Sequence, residues 1–243
     1  MKKLLAAALV LVFLLAGAAA AHPARFEDEL IGNVITGINA PYMEEGGVPS
    51  RTDFFTEERF ADNLVTVVNY WDSGCINCRL EMPSLNELHR NYSGMGVSVL
   101  GAATRRIGGS FEYGWELLCE MGIIYPCVIA DEGFVNAAGD YYVVPLTLFV
   151  GPDGRILDAR AGRMDYEEME LRALRLIAVP GDADGNGAVD SADVSALAAF
   201  LIDAGELSPM GRAAADMDRD LEIGAKDMKA LYELFGMETA EEH

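Results

Sequence analysis

The chain reads as an α/β protein, a sandwich built on a mixed sheet, followed by a small all-α unit. Three observations predict this. Short β-branched apolar runs alternate with helical patterns, as in strands buried between helices. A Pro-Asp-Gly turn then splits a longer run into a hairpin, which makes the sheet mixed. After Pro180-Gly181 the composition changes to two Asp-rich loops, each leading into a short apolar helix.

The chain has 243 residues, 51% of them hydrophobic, enough for a globular domain of ordinary size and a smaller one. The formal net charge is −21. That excludes nonspecific binding to nucleic acid or to an anionic membrane, because both require clustered Lys and Arg. From Gly181 onward there are 15 Asp+Glu against 4 Lys+Arg, a net −11, so the tail carries about half of the charge.

The elements follow in order. Residues 1–21 read as an export signal: Lys2 and Lys3, an apolar core from Leu4 to Leu15, and small residues Ala19 and Ala21 at peptidase spacing. An uncleaved anchor is the other reading, and either one puts the body of the protein outside the cytoplasm: extracellular, at the cell surface or periplasmic. Residues 26–60 are mixed, with turn signals at Gly46-Gly47 and Pro49. "LVTVVNYW" (64–71) predicts a buried strand. A helix is expected from about Cys75 to Tyr92, kinked at Pro83. "GVSVLGAAT" (96–104) predicts a strand, 111–122 a helix, and "YPCVIAD" (125–131) a third strand. The hairpin covers 145–162, turning at Pro152-Asp153-Gly154, and a closing helix covers 166–178. One domain thus spans 26–178, a link 179–181 and a second domain 182–237. Few contacts are expected to cross so short a Pro-Gly link.

"NYWDSGCINCRLEMPSL" (69–85) places Cys75 and Cys78 where strand meets helix. Cys-x-x-Cys at such a join is the thioredoxin arrangement. At the helix N-terminus, unpaired amides and the macrodipole favour an anion, so the Cys75 thiolate should be the nucleophile. Cys78, one turn on, can close a disulfide with Cys75 or resolve a mixed one. Zinc would need a second such pair or added histidines, whereas Cys119 and Cys127 are a loose pair and the three histidines are scattered. Haem attachment needs His after the second Cys, and Arg79 is there. An inert structural disulfide stays open on spacing alone. Cys119 and Cys127 are expected as two buried free thiols, with a second disulfide as the alternative.

These residues resemble the active-site segment of the TlpA/ResA-like thiol–disulfide oxidoreductases, through the Trp before the motif, Glu81, Pro83 and Leu85. The resemblance continues through "YPCVIAD" and "VVPLTLFVGPDGRI" and covers about 30–178. It implies a thioredoxin-like fold, a redox-active Cys75–Cys78 disulfide, a cis Pro145 beside it, and a role for Glu81 in tuning the cysteines or relaying a proton. Relatives often carry Trp immediately before the first Cys. Here that position is Gly74, which removes an aromatic lid.

In the tail, "GDADGNGAVDSAD" places Asp182, Asp184 and Asn186 at loop positions 1, 3 and 5, and Gly187 at 6. The Ala188 carbonyl stands at 7, Asp190 at 9 and Asp193 at 12. Hard oxygen donors at this spacing suit Ca²⁺. Val179-Pro180-Gly181 cannot form an entering helix, so the loop has only an exiting one. The second copy, "DMDRDLEIGAKD", offers Asp216, Asp218, Asp220, the Glu222 carbonyl and Asp227. Leu221 replaces the turn glycine and Gly224 removes the side chain at position 9, so a weaker second site is expected. Two such loops within about 35 residues resemble the type I dockerin. The resemblance implies a cohesin domain as partner, read through Ser191-Ala192 and Ala225-Lys226.

Together these readings predict an exported thiol–disulfide oxidoreductase tethered through a dockerin. Catalysis falls to Cys75, Cys78, Glu81 and Pro145, with two Ca²⁺ sites and no organic cofactor. Substrates would be protein thiols or disulfides, with a membrane electron donor admitted and no nucleic acid. Two other readings compete: a noncatalytic dockerin-borne adaptor on the same fold, and a copper carrier using the two cysteines, for which only Met82 stands close in sequence.

Overall fold

The computed structural model describes residues 26–139 and 143–235. The expected export segment lies outside them. The first unit contains strands β1 (Asn39–Glu44), β2 (Val48–Thr56), β3 (Val65–Asp72), β4 (Val97–Thr104), β5 (Cys127–Ile129), β6 (Leu146–Val150) and β7 (Ile156–Ala161). Its helices are α1 (Phe26–Leu30), α2 (Ile76–Tyr92), α3 (Phe111–Glu120), α4 (Glu132–Ala138) and α5 (Tyr166–Leu174). The tail contributes α6 (Ser191–Leu201), α7 (Pro209–Ala215) and α8 (Ala225–Leu234). Among the described residues, no helix is long and apolar enough to cross a membrane.

The seven strands form one sheet in the order β2-β1-β5-β4-β3-β6-β7. β3 runs parallel to β4, and β4 to β5, while β6 is antiparallel to β3 and β7 to β6. All eight residues of β3 are buried. Period two sends its side chains to opposite faces. Val65, Val67 and Trp71 enter the core under α2, α3 and α5, and Val68 and Tyr70 enter the core under α1 and α4. The β-branched run of 64–71 thus becomes the centre of the sandwich.

Several expectations change in detail. α2 continues through Pro83 as one helix of 17 residues. The third strand shrinks to three residues, because Pro126 offers no amide and Asp131 already caps α4, accepting from Phe134 N. α5 ends at Leu174, and the chain tightens so that Ile177 N and Ala178 N both reach the Leu174 carbonyl. The β1–β2 hairpin, α1 and α4 carry no clear periodicity in the sequence, being short or interrupted by Pro41, Pro49 and Gly133.

The expectation that few contacts cross the link is corrected. The tail has its own small core of Ala183, Leu197, Ala215 and Leu231. Yet Ala213 and Met210 of α7 join the larger core that holds Ala173 and Leu174 of α5. α7 is held from both sides: Ala213 and Met210 lie against the larger core, while Gly211 packs on the Ala183 carbonyl and Ala215 enters the tail's own core. The link itself is pinned where Gly181 N donates to the Ala214 carbonyl at 2.9 Å.

Candidate functional site: a disulfide at a helix start and two acidic loops

Cys75 is the N-cap of α2 and is joined to Cys78 by a disulfide, with Cα atoms 5.2 Å apart. Its Sγ accepts from the Cys78 amide at 3.1 Å, an anion-stabilising donor at the helix start. Cys75 is 5% exposed and Cys78 is fully buried, so any approach from solvent meets Cys75. The Val144–Pro145 bond is cis, and the Val144 carbonyl oxygen lies 3.6 Å from Cys75 Sγ. A disulfide sulfur has no proton to give, so this is a packing contact.

Residues that the sequence reading did not single out hold the motif. The buried Asp72 carboxylate accepts from Gly74 N at 2.8 Å and Ile107 N at 2.9 Å. Ser73 Oγ donates to the Ser110 carbonyl and accepts from Ser110 N. The loop packs so closely that a Cβ on Gly109 would meet Asp72 Oδ1 at 2.0 Å. At Gly74 the nearest atom would stand 3.3 Å away. A side chain at 74 would press on the Asp72 carboxylate more closely than an ordinary contact, so glycine relieves crowding in the loop before Cys75.

Glu81 lies one turn beyond Cys78 on α2, fully buried. Its Oε1 accepts from Met164 N at 2.8 Å and its Oε2 from Asn69 Nδ2 at 3.1 Å. Asn69 Nδ2 also donates to Thr147 Oγ1 at 3.0 Å. Burial pushes the Glu81 carboxyl up to about 7, against the lowering effect of these donors. The group can therefore hold or release a proton near neutral pH. Asn69 and Thr147 were missed, although a polar residue inside the apolar run "VVNYW" was the available signal. Met82 is buried in the core, and Cys119 and Cys127 are both free thiols. Cys119 is exposed, against expectation, and burial pushes the Cys127 thiol up to about 12.

In the tail, one carboxylate oxygen from each of Asp182, Asp184 and Asp193 lies within 4.8 Å of the others, as do those of Asp216, Asp218 and Asp220. Asn186 joins the first loop, accepting from Ala188 N and donating to Asp184. Asp190 accepts from Ala192 N at the start of α6. Asp227 accepts from Met217 N, Asp218 N and Gly224 N, so it orders the second loop from the start of α8. Glu222 N donates to Asp220 in the same loop. Both oxygens of the buried Asp216 lack a hydrogen bond. An ionised carboxylate buried so is costly unless a cation completes it, so the residues fit a hard ion.

Backbone strain separates the loops. Positions 4 and 6 are left-handed in both. The first loop uses Gly185 and Gly187 there, and the second uses Arg219 (φ 63°) and Leu221 (φ 71°). Position 6 was foreseen and position 4 was not.

Comparison with known proteins agrees with both halves. Residues 180–234 match the dockerin type I domain. The chain is 28% identical over 151 residues to the thiol:disulfide interchange protein DsbE homolog of Paracoccus denitrificans, covering 62% of this chain and 79% of that one. It is 32% identical over 133 residues to the thiol:disulfide interchange protein HelX of Rhodobacter capsulatus, covering 54% and 69%. It is 29% identical over 104 residues to the thiol-disulfide oxidoreductase ResA of Geobacillus kaustophilus, covering 42% of this chain and 58% of that protein. With the disulfide at the start of α2 and the mixed sheet beneath it, the chain belongs to the ResA/DsbE-like thiol–disulfide oxidoreductases of thioredoxin-like fold, joined to a type I dockerin domain.

Proposed function

We propose that this is an exported thiol–disulfide oxidoreductase held through its dockerin to a cohesin-bearing partner. One observation carries the catalytic half: Cys75 is the less buried residue of the pair and caps a helix start, while Cys78 is fully buried one turn from a carboxyl poised near neutrality. In the oxidised protein a substrate thiolate attacks Cys75 Sγ. The Cys75–Cys78 bond breaks, a mixed disulfide forms, and Cys78 leaves with the electron pair. A second substrate thiolate then displaces Cys75, which leaves as thiolate, and the substrate is oxidised to a disulfide. The reverse course reduces a substrate disulfide: Cys75 thiolate attacks it, and Cys78 resolves the mixed species. Glu81 supplies or accepts the Cys78 proton in either direction, and Pro145 shapes the groove beside Cys75.

The acidic loops would hold Ca²⁺ through Asp182, Asp184, Asn186, the Ala188 carbonyl, Asp190 and Asp193, and through Asp216, Asp218, Asp220, the Glu222 carbonyl and Asp227. The ion supplies charge that these carboxylates need in order to pack together. Ser191-Ala192 and Ala225-Lys226 are exposed at the starts of α6 and α8, where a cohesin would read them. Domain limits of 26–178 and 182–237 follow from this reading.

Replacing Cys78 by Ser should trap mixed disulfides through Cys75 when the protein meets thiol-bearing polypeptides. Species that disappear on reduction and on Cys75→Ser support the reading. No trapped species with any dithiol or disulfide partner would sink it.

A further inference from the structure

Arg175 lies one residue past α5, in the redox unit, with its side chain largely buried. Its guanidinium pairs with Asp158 of β7, which Arg172 also holds at 2.9 Å. The same group reaches into the tail. Nη1 donates to the Arg219 carbonyl at 3.2 Å and stands 3.9 Å from Asp216 Oδ2. One ion network of the redox unit thus ends at positions 1 and 4 of the second acidic loop. The first loop differs: Asp182 accepts from Asn186 N and Gly187 N, and Asp193 from Asp184 N and Asp190 N, all within the loop itself.

We propose that the second loop is an ion site shared by the two units, so that Ca²⁺ bound there stabilises the redox unit directly, whereas Ca²⁺ at the first loop reaches that unit only through α7. The inference rests on the calcium reading of the loops. Asp216 is buried and its oxygens lack a well-aligned hydrogen bond, although the Leu221 amide lies near enough to favour its charge. In the absence of an ion, Arg175 is the counter-charge that Asp216 must share with Asp158. An ion at the second loop satisfies Asp216 and leaves Arg175 to Asp158 and to the Arg219 carbonyl, where it holds a strained left-handed residue. Order in the loop and order in the α5–α7 contact therefore coincide. A ligand that binds only the folded form stabilises whatever unfolds together with its site.

The protein supplies its own reporter. Its two tryptophans, Trp71 and Trp115, both lie in the redox unit, so tryptophan fluorescence follows that unit alone. Thermal unfolding of the full chain should be recorded in chelator and in free Ca²⁺ about a hundredfold above its Kd. The tryptophan midpoint should rise by roughly 5–10 °C in Ca²⁺. Asp182→Asn should keep most of the rise and Asp216→Asn should lose it. Arg175→Ala should still bind Ca²⁺ at both loops by calorimetry and yet lose the rise. Binding at both loops with no tryptophan shift would overturn the coupling and leave the calcium reading intact. A shift lost in Asp182→Asn but kept in Asp216→Asn, or kept in Arg175→Ala, would also overturn it. No heat of binding at either loop would remove the calcium reading and the proposal with it.

Discussion

At the scale of the residue, the proposed chemistry rests on two sulfurs and one carboxyl. After reduction, alkylation at mildly acidic pH should label Cys75 first. Cys78 is fully buried, burial pushes the Cys127 thiol up to about 12 and keeps it protonated, and Cys119 is exposed but has no helix start to favour its anion. Peptide mapping checks the order, and faster labelling of Cys78 would reverse the two roles. Glu81 makes a second prediction. Its folded value of about 7 lies above the ordinary carboxylate value, so the folded state holds the proton more tightly. The buried charge costs nothing below about pH 4.5. Its cost grows between there and about 7, and is full above that. Glu81→Gln should therefore stabilise the protein at pH 8 by up to about 3 kcal/mol, with the gain vanishing below pH 4.5. Asn69 can accommodate the change by turning its amide, so that Oδ1, unpartnered now, accepts from the new side chain. Denaturant midpoints at both pH values test this. A Gln variant less stable at pH 8 would mean that the donors around Glu81 outweigh its burial. The motif and Glu81 were legible because each has a fixed place along one helix. Asn69, Thr147, Asp72 and Ser73 were not, because what they do depends on strands and loops distant in sequence.

At the scale of the element, the loops differ by backbone geometry more than by charge. Leu221 and Arg219 occupy left-handed conformations that glycine adopts at little cost. Each strained residue costs on the order of 1 kcal/mol. Leu221→Gly should therefore tighten calcium binding at the proposed second site about fivefold, as read by calorimetry on the full chain. Unchanged affinity would show that the loop relaxes elsewhere. Lys226 adds a local competitor: its ammonium lies 2.8 Å from Asp220 Oδ2 and 3.6 Å from Asp218 Oδ2, on carboxylates that an ion would need. Lys226→Ala should strengthen binding at that loop, with a smaller gain at high salt, because the pair is exposed and screened. Weakened binding would mean that Lys226 orders the loop instead. Elements with a repeated or periodic signature were readable: β3, α2, the 145–162 hairpin and both acidic loops. The β1–β2 hairpin and α4 were not. Their residues become an edge and a short helix only because β5 and α1 offer places to pack.

At the scale of the whole molecule, the tail is both an appendage and part of the core. All residues proposed for thiol exchange precede Val179. A chain ending there should keep disulfide exchange, yet unfold at a lower temperature, because Met210 and Ala213 no longer cover the α5 side of the core. Tryptophan fluorescence and an insulin-reduction assay on the same sample separate the two outcomes. An unchanged midpoint would show that the contact between the units contributes nothing to stability. Composition marked the boundary at Pro180 but could not reveal the contact. Alanines in a short helix carry no periodic signal of what they pack against. The central strand gives the molecule a clock. β3 is hydrogen-bonded to β4 along its whole length and to β6 over five residues, with no side chain open to water. Its amides can trade protons with deuterated solvent only when the entire unit comes apart, while amides in the first turn of a helix, which have no intrahelical partner, trade through small local openings. The disulfide stands between these two regimes, at the end of the slowest strand and the beginning of a helix. Isotope uptake by β3 therefore measures how often the platform beneath the reactive sulfur disappears.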